Sequence, residues 1–346
     1  MLKTNFKVLY FINYAPNYRD VFLKELGKHV DLTVVSYAGN EANLKDPEER
    51  VGYKYVCLKR KRFLKINFNI KEFTLANGDY DLIIVGYTLW NPFRMINLFR
   101  KKKRVICEGK MYGKSNKLIT RFLRKLYVNS GEGVLVYSKL VKERLQEETK
   151  KPIIVFNNTS YSKTDIKPLS IPPIKNSVNI IWVGRYQKRK KLETLLHIAR
   201  NHKNLEFRII GPGIIENLKS KSSNLNNVKL FEGMYDSKLQ EHFEWAHAIF
   251  NPGAIGLLVM NAARFQRPLF INPDPNNGAE IQLAKDSGQD FIEFSNDTEI
   301  RRLIDKIYNN PSYIKKKAYA LHKEMHNYTV EFMAQQYLKA IRGEWN

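Results

Sequence analysis

Cysteine is nearly absent from this chain, since Cys57 and Cys107 are the only two among 346 residues. Two cysteines exclude a disulfide framework and fit a reducing setting. Long apolar runs are missing as well: the best stretch, 246–263, is interrupted by histidine, asparagine and proline, which argues against a membrane-spanning helix. The apolar stretch near the amino terminus is too short for a signal peptide. We therefore expect a cytoplasmic protein that is soluble or at most peripheral on a membrane.

Several site motifs are absent too. The seven histidines show no spacing that is typical of metal ligands, so we expect no bound metal. The chain contains no G-x-S-x-G nucleophile elbow, no P-loop and no complete G-x-G-x-x-G. Acidic residues are also scarce: the chain has 34 aspartates and glutamates but 58 lysines and arginines, which gives a net charge of +24. A chain this basic is expected to bind an anionic partner.

The excess charge is concentrated in one stretch, residues 54–125, which holds 19 basic and 4 acidic side chains, a surplus of 15. Its basic clusters alternate with aromatic residues and lie at 59–62, 100–104 and 121–125. One interpretation is a solvated basic face; the other is a surface for anionic lipid headgroups or a phosphorylated acceptor. Nucleic acid is disfavoured, because no zinc-finger, RNA-recognition or helix-turn-helix motif accompanies the charge.

Length and composition predict two packed domains, since 346 residues with 43% hydrophobic and 12% aromatic side chains supply two cores. Apolar runs typical of buried strands occur at 7–12, 32–37, 80–87, 104–109, 133–138, 178–184, 206–211, 228–233, 248–253, 268–272 and 291–295. Segments of helical period alternate with them at 18–29, 91–102, 115–128, 139–148, 191–201, 236–245, 256–266 and 296–309. This order predicts the α/β class: two doubly wound Rossmann-like domains, 1–160 and 177–325, joined by a proline-containing linker, 161–176, and facing each other across a ligand-binding cleft.

Residues 183–196 carry the strongest local pattern. A strand ends at Gly184, Arg185 follows at once, and Lys190 stands just before a helix. Glycine lets a ligand approach the backbone closely, and two cations beside a helix start suit an anion such as a diphosphate. The alternative interpretation is a solvated basic turn.

Two further strand ends are rich in glycine. One contains Gly253 and Gly256 ahead of a helix, and the other, weaker one contains Gly211. Unpaired amides at such a helix start are expected to face a ligand. A tight turn without a ligand is the alternative.

In the first domain, the loop after the first strand supplies polar and aromatic side chains that suit a polyol acceptor, namely Asn13, Tyr14, Tyr18 and Arg19. The loop 108–114 begins with Glu108, the only carboxylate in a basic neighbourhood. Glu108 is predicted either to act as a general base or orienting acceptor, or simply to neutralise local charge.

Together these segments resemble the GT-B glycosyltransferases, in particular the bacterial group 1 enzymes of glycosyltransferase family 4. VGRYQKRKKLETLL is similar to the family's donor-side motif, which implies that Arg185 and Lys190 bind the diphosphate of a nucleotide-sugar. IIGPG, with Gly211, resembles the family's I-V-G-x-G-P turn, and Glu280 falls on its Pro-Glu position. The segment 326–346 resembles the terminal helix that returns to the first domain.

One departure from the family is clear. Two glutamates eight positions apart usually occur in the loop and helix after this strand, and Gly253 and Asn261 take their places here. The P-G-x-x-G-L loop is similar instead to a subset of capsule and O-antigen transferases. That likeness implies that amides near Gly256, Leu257 and Leu258 bind the diphosphate and that Asn261 bonds a ribose hydroxyl. An inactive relative is the alternative, and inversion or retention at the sugar stays open.

The resemblance implies a metal-independent hexosyltransferase with no cofactor beyond its nucleotide-sugar co-substrate. It implies a donor site in 177–325 and an acceptor site in 1–160 for a glycan, free or linked to a polyprenyl diphosphate, in bacterial surface polysaccharide synthesis. Residues 54–125 are then expected to bind anionic lipid at the inner face of the cytoplasmic membrane. The alternatives are a nucleotide-sugar epimerase of the same fold and a non-catalytic basic protein that binds nucleic acid or membrane.

Overall fold

The computed structural model describes residues 6–39, 45–63, 66–67, 69–100, 102–112, 118–234, 236–273, 277–278 and 280–345. The chain divides into two compact units, one made of Met1–Ser162 with Tyr328–Asn346 and the other of Lys163–Asn327. Each unit has its own parallel sheet with crossover helices, so the predicted class and the two Rossmann-like domains are confirmed. Parts of three predicted features lie outside the described residues. They are Lys65, Lys101, Lys114 and Lys117 of the basic stretch, Gly113 and Lys114 of the loop 108–114, and residues 115–117 of the helix predicted over 115–128.

The first unit is built on a parallel sheet. Its elements are β1 (Lys7–Tyr14), α1 (Asn17–Gly27), β2 (Asp31–Tyr37), β3 (Lys54–Leu58), β4 (Arg62–Phe63), β5 (Ile66–Asn67), α2 (Lys71–Leu75), β6 (Leu82–Gly86), α3 (Pro92–Ile96), β7 (Arg104–Gly109), α4 (Leu118–Ser130), β8 (Gly133–Val136), α5 (Lys139–Leu145) and β9 (Ile153–Val155). The described strands of the sheet run in the order β3-β2-β1-β6-β7-β8-β9, all parallel, and β4 and β5 form a separate antiparallel hairpin. Strands β1 and β6 lie at the centre and are apolar on both faces, as expected for a sheet covered by helices on both sides.

The second unit repeats the plan. Its elements are β10 (Val178–Val183), α6 (Glu193–Asn201), β11 (Leu205–Ile210), α7 (Ile214–Ser222), β12 (Val228–Phe231), α8 (Asp236–Trp245), β13 (Ala248–Asn251), α9 (Leu258–Arg264), β14 (Leu269–Ile271), α10 (Ile281–Asp286), β15 (Asp290–Phe291), α11 (Asp297–Asn309) and α12 (Pro311–Glu324). Parallel strands follow the order β12-β11-β10-β13-β14-β15. The last helix, α13 (Val330–Arg342), belongs to the first unit, where the ring of Tyr337 packs against Phe22 and Phe156.

Some boundaries differ from the prediction. The strand predicted over 291–295 was wrong, because pairing ends at Phe291 and the chain then bends. The helix predicted over 91–102 is the short α3 followed by a single 3₁₀ turn, Asn97–Phe99. Strands β3 and β9 and helices α2, α7, α10 and α12 were not predicted: β9 is only three residues long, and β3 is an edge strand with a mixed surface.

The segment predicted as a linker is attached to the second unit. Arg267 has no exposed surface and donates from Nη1 to the Leu169 carbonyl at 2.8 Å and from Nη2 to the Ser170 carbonyl at 3.0 Å. Arg264 donates from Nε to the Asp165 carbonyl at 3.0 Å. From residue 163 onward, the segment therefore packs as part of the second unit rather than as a free tether.

A buried ion pair ties the helices of the first unit to its sheet. Arg94 and Glu72 have no exposed surface, and Arg94 Nε lies 2.6 Å from Glu72 Oε2. The other carboxylate oxygen, Glu72 Oε1, accepts hydrogen bonds from Tyr37, Asn91 and Arg94. Arg94 also donates to the Ile12 carbonyl at the end of β1. Both charges are thus fully engaged, which is the condition under which a buried ion pair is tolerated.

Removing one partner of this pair is expected to destabilise the first unit. Glu72→Ala leaves the Arg94 guanidinium buried without a counter-charge, a change that costs about 3–5 kcal/mol in comparable cases. Urea unfolding followed by circular dichroism measures the shift in midpoint. Asp79→Ala is the matched control, since the Asp79–Lys7 pair lies on the surface, and we expect no measurable change there. Equal midpoints for both variants would contradict the structural role of the pair.

Candidate functional site

Three loops meet at the carboxyl edge of the second sheet. Gly184 follows β10, Gly211 follows β11 and Gly253 lies two residues after β13. Gly211 has φ 150°, and a Cβ atom there would overlap the carbonyl oxygen of Gly184. The first two loops therefore touch backbone to backbone, an approach that only glycine permits.

The loop after β13 is fixed to the basic turn after β10. The amide of Ala254 donates to the Arg189 carbonyl at 2.9 Å, and a Cβ atom at Gly253 would lie 2.6 Å from the backbone carbon of Lys190. In return, Lys190 Nζ donates to the Ala254 carbonyl at 2.6 Å. The segments that the sequence analysis predicted separately, around Lys190 and around Gly253, thus form one structure.

Lys190 is the most perturbed cation of this group. Only 8% of the residue is exposed, and burial lowers the pKa of its ammonium group to about 8, with a further lowering by Arg189 and an opposing effect of Glu280. A Cβ atom at Gly256 would lie 3.2 Å from Lys190 Nζ, so the ammonium group faces the loop that precedes α9. A buried, partly compensated cation next to such a loop is a feature of ligand sites as well as of structural networks.

The remaining predicted donor-site residues occupy different environments. Arg185 is exposed and has no hydrogen-bond or ion-pair partner in the described part of the chain. Leu257 is exposed and Leu258 begins α9, a helix whose first turn has no side-chain cap. Asn261 is buried within α9, and Glu280 is half-buried at the start of α10. The electrostatic effect of Glu280 on Lys190 places both in one neighbourhood.

Sequence reasoning missed two asparagines that shape the loop. Asn251 is fully buried and donates from Nδ2 to the Gly253 carbonyl at 2.6 Å. Asn277 accepts the Ile255 amide on Oδ1 at 2.7 Å. The position of Asn251, a polar residue closing an apolar strand, was the only sign of its role. Because Ala254 and Ile255 already donate, the amides still available for a ligand lie further on, toward Gly256 and Leu257.

In the first unit, the predicted acceptor residues separate into two groups. Arg19 is buried and donates to Tyr10, Tyr337 and Asn158, with Glu108 3.5 Å away. Burial raises the pKa of the Glu108 carboxyl, and Arg19 opposes that effect. Both side chains thus belong to an internal cluster that holds α13, and a role for Glu108 as a base stays a prediction.

The other acceptor residues lie nearer the surface. Asn13 and Tyr14 line a cavity at the carboxyl edge of the first sheet, and Tyr18 is about half exposed on α1.

Among the described residues, no group of three or more histidine, cysteine or acidic side chains is arranged to hold a metal ion. Within that same part of the chain, none of the helices has the length and hydropathy needed to cross a bilayer.

Comparison with known proteins gives sequence matches of low identity. No protein-family profile matches the chain. The UDP-N-acetylglucosamine–N-acetylmuramyl-(pentapeptide) pyrophosphoryl-undecaprenol N-acetylglucosamine transferase of Leptospira interrogans is 23% identical over 221 residues, which is 61% of this chain. The match spans 58% of the length of that relative.

Solved structures match over almost the whole chain. Anabaena HepE in complex with UDP-glucose has a TM-score of 0.66 at 11% identity, covering 98% of this chain and 100% of that one. A glycosyltransferase from Rickettsia africae reaches 0.72 at 14% identity, covering 99% of both chains. A putative UDP-N-acetylglucosamine 2-epimerase from Listeria monocytogenes reaches 0.61 at 15% identity, covering 99% and 96%. The chain therefore has the GT-B fold, a two-domain architecture that it shares with these glycosyltransferases and with the epimerase.

Proposed function

We propose that the chain transfers a hexose from a nucleotide-diphosphate-sugar to a glycan acceptor that is linked to a polyprenyl diphosphate. The observation that carries this proposal is the Lys190 site, a buried ammonium group that is bonded to the loop of Gly253–Gly256. Arg185 lies in the same turn and has no partner among the described residues. Cations beside the amino terminus of α9, where no side chain caps the backbone amides, are suited to bind the two phosphates of a donor. In support, HepE was solved with UDP-glucose and UDP.

The proposed reaction asks for positioning and charge stabilisation. The bond between the anomeric carbon and the donor phosphate oxygen breaks, and the acceptor hydroxyl oxygen forms the new bond while releasing its proton. Negative charge develops on the departing nucleoside diphosphate. We expect Lys190 and Arg185, together with the amides near Gly256 and Leu257, to stabilise that charge. Glu108 is the base we predict if the transfer inverts the sugar.

The first unit offers a surface for a lipid-linked acceptor. On α4, Leu118 is 82% and Phe122 63% exposed, and the exposed Arg121 and Lys125 stand beside them. Exposed apolar side chains flanked by cations are typical of helices that lie in the interface of an anionic membrane. The Leptospira relative is named for an undecaprenol-linked acceptor. We infer peripheral binding at the inner face of the cytoplasmic membrane and a role in capsule or O-antigen synthesis.

Nucleotide binding tests the donor site. UDP, GDP, CDP and dTDP are each added to the wild type and to Arg185→Ala, and thermal unfolding is measured. One nucleotide should stabilise the wild type, by about 2.7 kcal/mol at a hundredfold excess over Kd, and much less the variant. Arg200→Ala, an exposed arginine on α6, is the control and should behave as the wild type. Equal stabilisation of Arg185→Ala would place the diphosphate elsewhere.

Incubation with the donor alone distinguishes a transferase from an epimerase, because an epimerase would isomerise the sugar without an acceptor.

The lowered pKa of Lys190 predicts a pH dependence of donor affinity. Its ammonium group is charged below a pKa of about 8 and neutral above it, so affinity for UDP should fall between pH 7.5 and 9.5. The limiting slope is about tenfold per pH unit, because binding then requires uptake of one proton. Titration calorimetry measures both the slope and the proton uptake. Lys190→Met should bind UDP weakly, with an affinity that does not change over this pH range. If the pH dependence persists in the variant, it arises from another titrating group.

Vesicle binding tests the membrane surface. The wild type should co-sediment with vesicles of phosphatidylglycerol and phosphatidylethanolamine at low salt and be released as salt rises. Leu118→Ser combined with Phe122→Ser should abolish binding, and Arg121→Ala should weaken it about fivefold, in line with about 1 kcal/mol per cation. Tyr319→Ser, which alters an exposed aromatic residue of α12, is the control. Binding by the double variant at wild-type strength would exclude α4 as the contact.

A further inference from the structure

A cavity of about 330 Å³ opens at the carboxyl edge of the first sheet, where β1, β2 and β6 end. Its walls combine aromatic rings, amides, a hydroxyl and one guanidinium group. The principal lining residues are Asn13, Tyr14, Arg60, Asn67, Thr88 and Trp90. The volume lies at the lower end of the range for small-molecule sites and suits a single sugar ring.

One wall is fixed by the buried ion pair described above. Arg94 donates from Nη1 to Asn13 Oδ1 at 2.7 Å, while Tyr37 at the back of the cavity donates to Glu72. Because the oxygen of the Asn13 amide already accepts from a guanidinium group, its Nδ2 is the part left for a ligand. Asn13 therefore presents a hydrogen-bond donor in a defined orientation.

The opposite wall comes from the segment that carries the β4–β5 hairpin. Arg60 donates from Nε to Asn67 Oδ1 at 3.0 Å and from Nη1 to the Tyr14 hydroxyl at 2.7 Å. The backbone N–H of Asn67 in turn donates to the Trp90 carbonyl at 2.7 Å. These bonds hold Arg60 in place, and its Nη2 has no partner among the residues that the structure describes.

Most of the polar groups in the cavity that remain available to a ligand are hydrogen-bond donors. Asn13 Nδ2, Asn67 Nδ2 and Arg60 Nη2 are donors, and the two amide oxygens already accept hydrogen bonds. None of the described lining residues is acidic, and Glu72 behind the wall is neutralised by Arg94. Sugar hydroxyls that must donate find few acceptors here, whereas a carboxylate or phosphate oxygen finds several donors and a full positive charge.

The aromatic component adds a second requirement. Trp90 lines the cavity and is 47% exposed, so part of its large ring is accessible to a ligand. The carbon–hydrogen face of a sugar ring covers such an indole while its hydroxyls stay solvated. An inorganic anion such as phosphate has no apolar face and would not stack on the indole ring of Trp90.

We propose that this cavity is the subsite for an anionic monosaccharide unit of the acceptor, a sugar ring that carries a carboxylate or a phosphate. The ring stacks on Trp90 and its anionic group bonds to Arg60 Nη2, with Asn13 and Asn67 donating to ring substituents. The inference rests on the proposed function, because a sugar bound in the first unit is an acceptor only if the second unit binds a donor.

Ligand-detected NMR on the full chain tests the subsite. D-glucuronate, D-glucose 6-phosphate, D-glucose and inorganic phosphate are titrated separately at low salt. At least one of the two sugar anions should bind at least tenfold more tightly than both D-glucose and inorganic phosphate, and which one binds identifies the carboxylate or the phosphate as the anionic group. Binding of glucose as tight as that of the anions, binding of phosphate alone as tight as that of the sugar anions, or no binding of any sugar would overturn the proposal.

Variants locate the binding. Arg60→Ala and Trp90→Ala should each weaken the sugar anion at least tenfold, and Arg60→Lys, which keeps the charge without the forked donor geometry, should fall between. Arg200→Ala and Tyr319→Ala are the matched controls in the second unit. Thermal unfolding of each variant shows that it is folded. Wild-type affinity in both Arg60→Ala and Trp90→Ala would move the sugar elsewhere.

A parallel UDP titration separates this inference from the proposed function. If the chain binds UDP but none of the sugars, only the proposed subsite is overturned. Sugar binding in a chain that binds no nucleotide would leave a carbohydrate-binding cavity and overturn the transferase.

Discussion

Parallel pairing of the strands in both large sheets is the constraint on which both candidate sites depend. Carboxyl ends of neighbouring parallel strands share one edge, and crossover helices carry the chain back to the other edge. In the second unit this edge brings Gly184, Gly211 and Gly253 together although almost 70 residues separate the first from the last. In the first unit the same geometry brings Asn13 and Trp90 to one cavity. Local sequence then decides which chemistry each edge carries.

Two buried basic groups, Arg94 in the first unit and Lys190 in the second, differ in how their charge is compensated. Arg94 is paired with Glu72 and bonded to two further acceptors, so its burial is compensated and serves to orient Asn13. Among the residues that the structure describes, Lys190 Nζ bonds to the Ala254 carbonyl alone, and burial lowers the pKa of its ammonium group. An incompletely compensated cation gains most from an incoming anion, because the ligand supplies the counter-charge that the fold leaves out. This contrast supports the proposal that Lys190, rather than Arg94, binds the donor.

Sequence patterns predicted the fold to a large extent because apolar strands in a covered parallel sheet are continuous hydrophobic runs. The run at 104–109 coincides with β7, whereas the half-buried β3 and the three-residue β9 carry too little pattern to detect. The Lys190 turn was predicted from its composition, yet its bond to Ala254 was not, because residues 64 positions apart leave no mark on local periodicity. Arg60 and Trp90 were missed for the same reason: only the tertiary fold brings them beside Tyr14.

The same contacts account for the departure from the resembled family at Gly253. A Cβ atom there would lie 2.6 Å from both the backbone carbon and the backbone oxygen of Lys190, so the position that carries a glutamate in the family has no room for any side chain here. The space is filled by the basic turn itself, and Lys190 reaches back to the carbonyl of the next residue. The glycine at position 253 and the position of the basic turn are therefore linked in this structure. Asn261 is neutral as well, and among the described carboxylates Glu280 is the one that raises the pKa of Lys190.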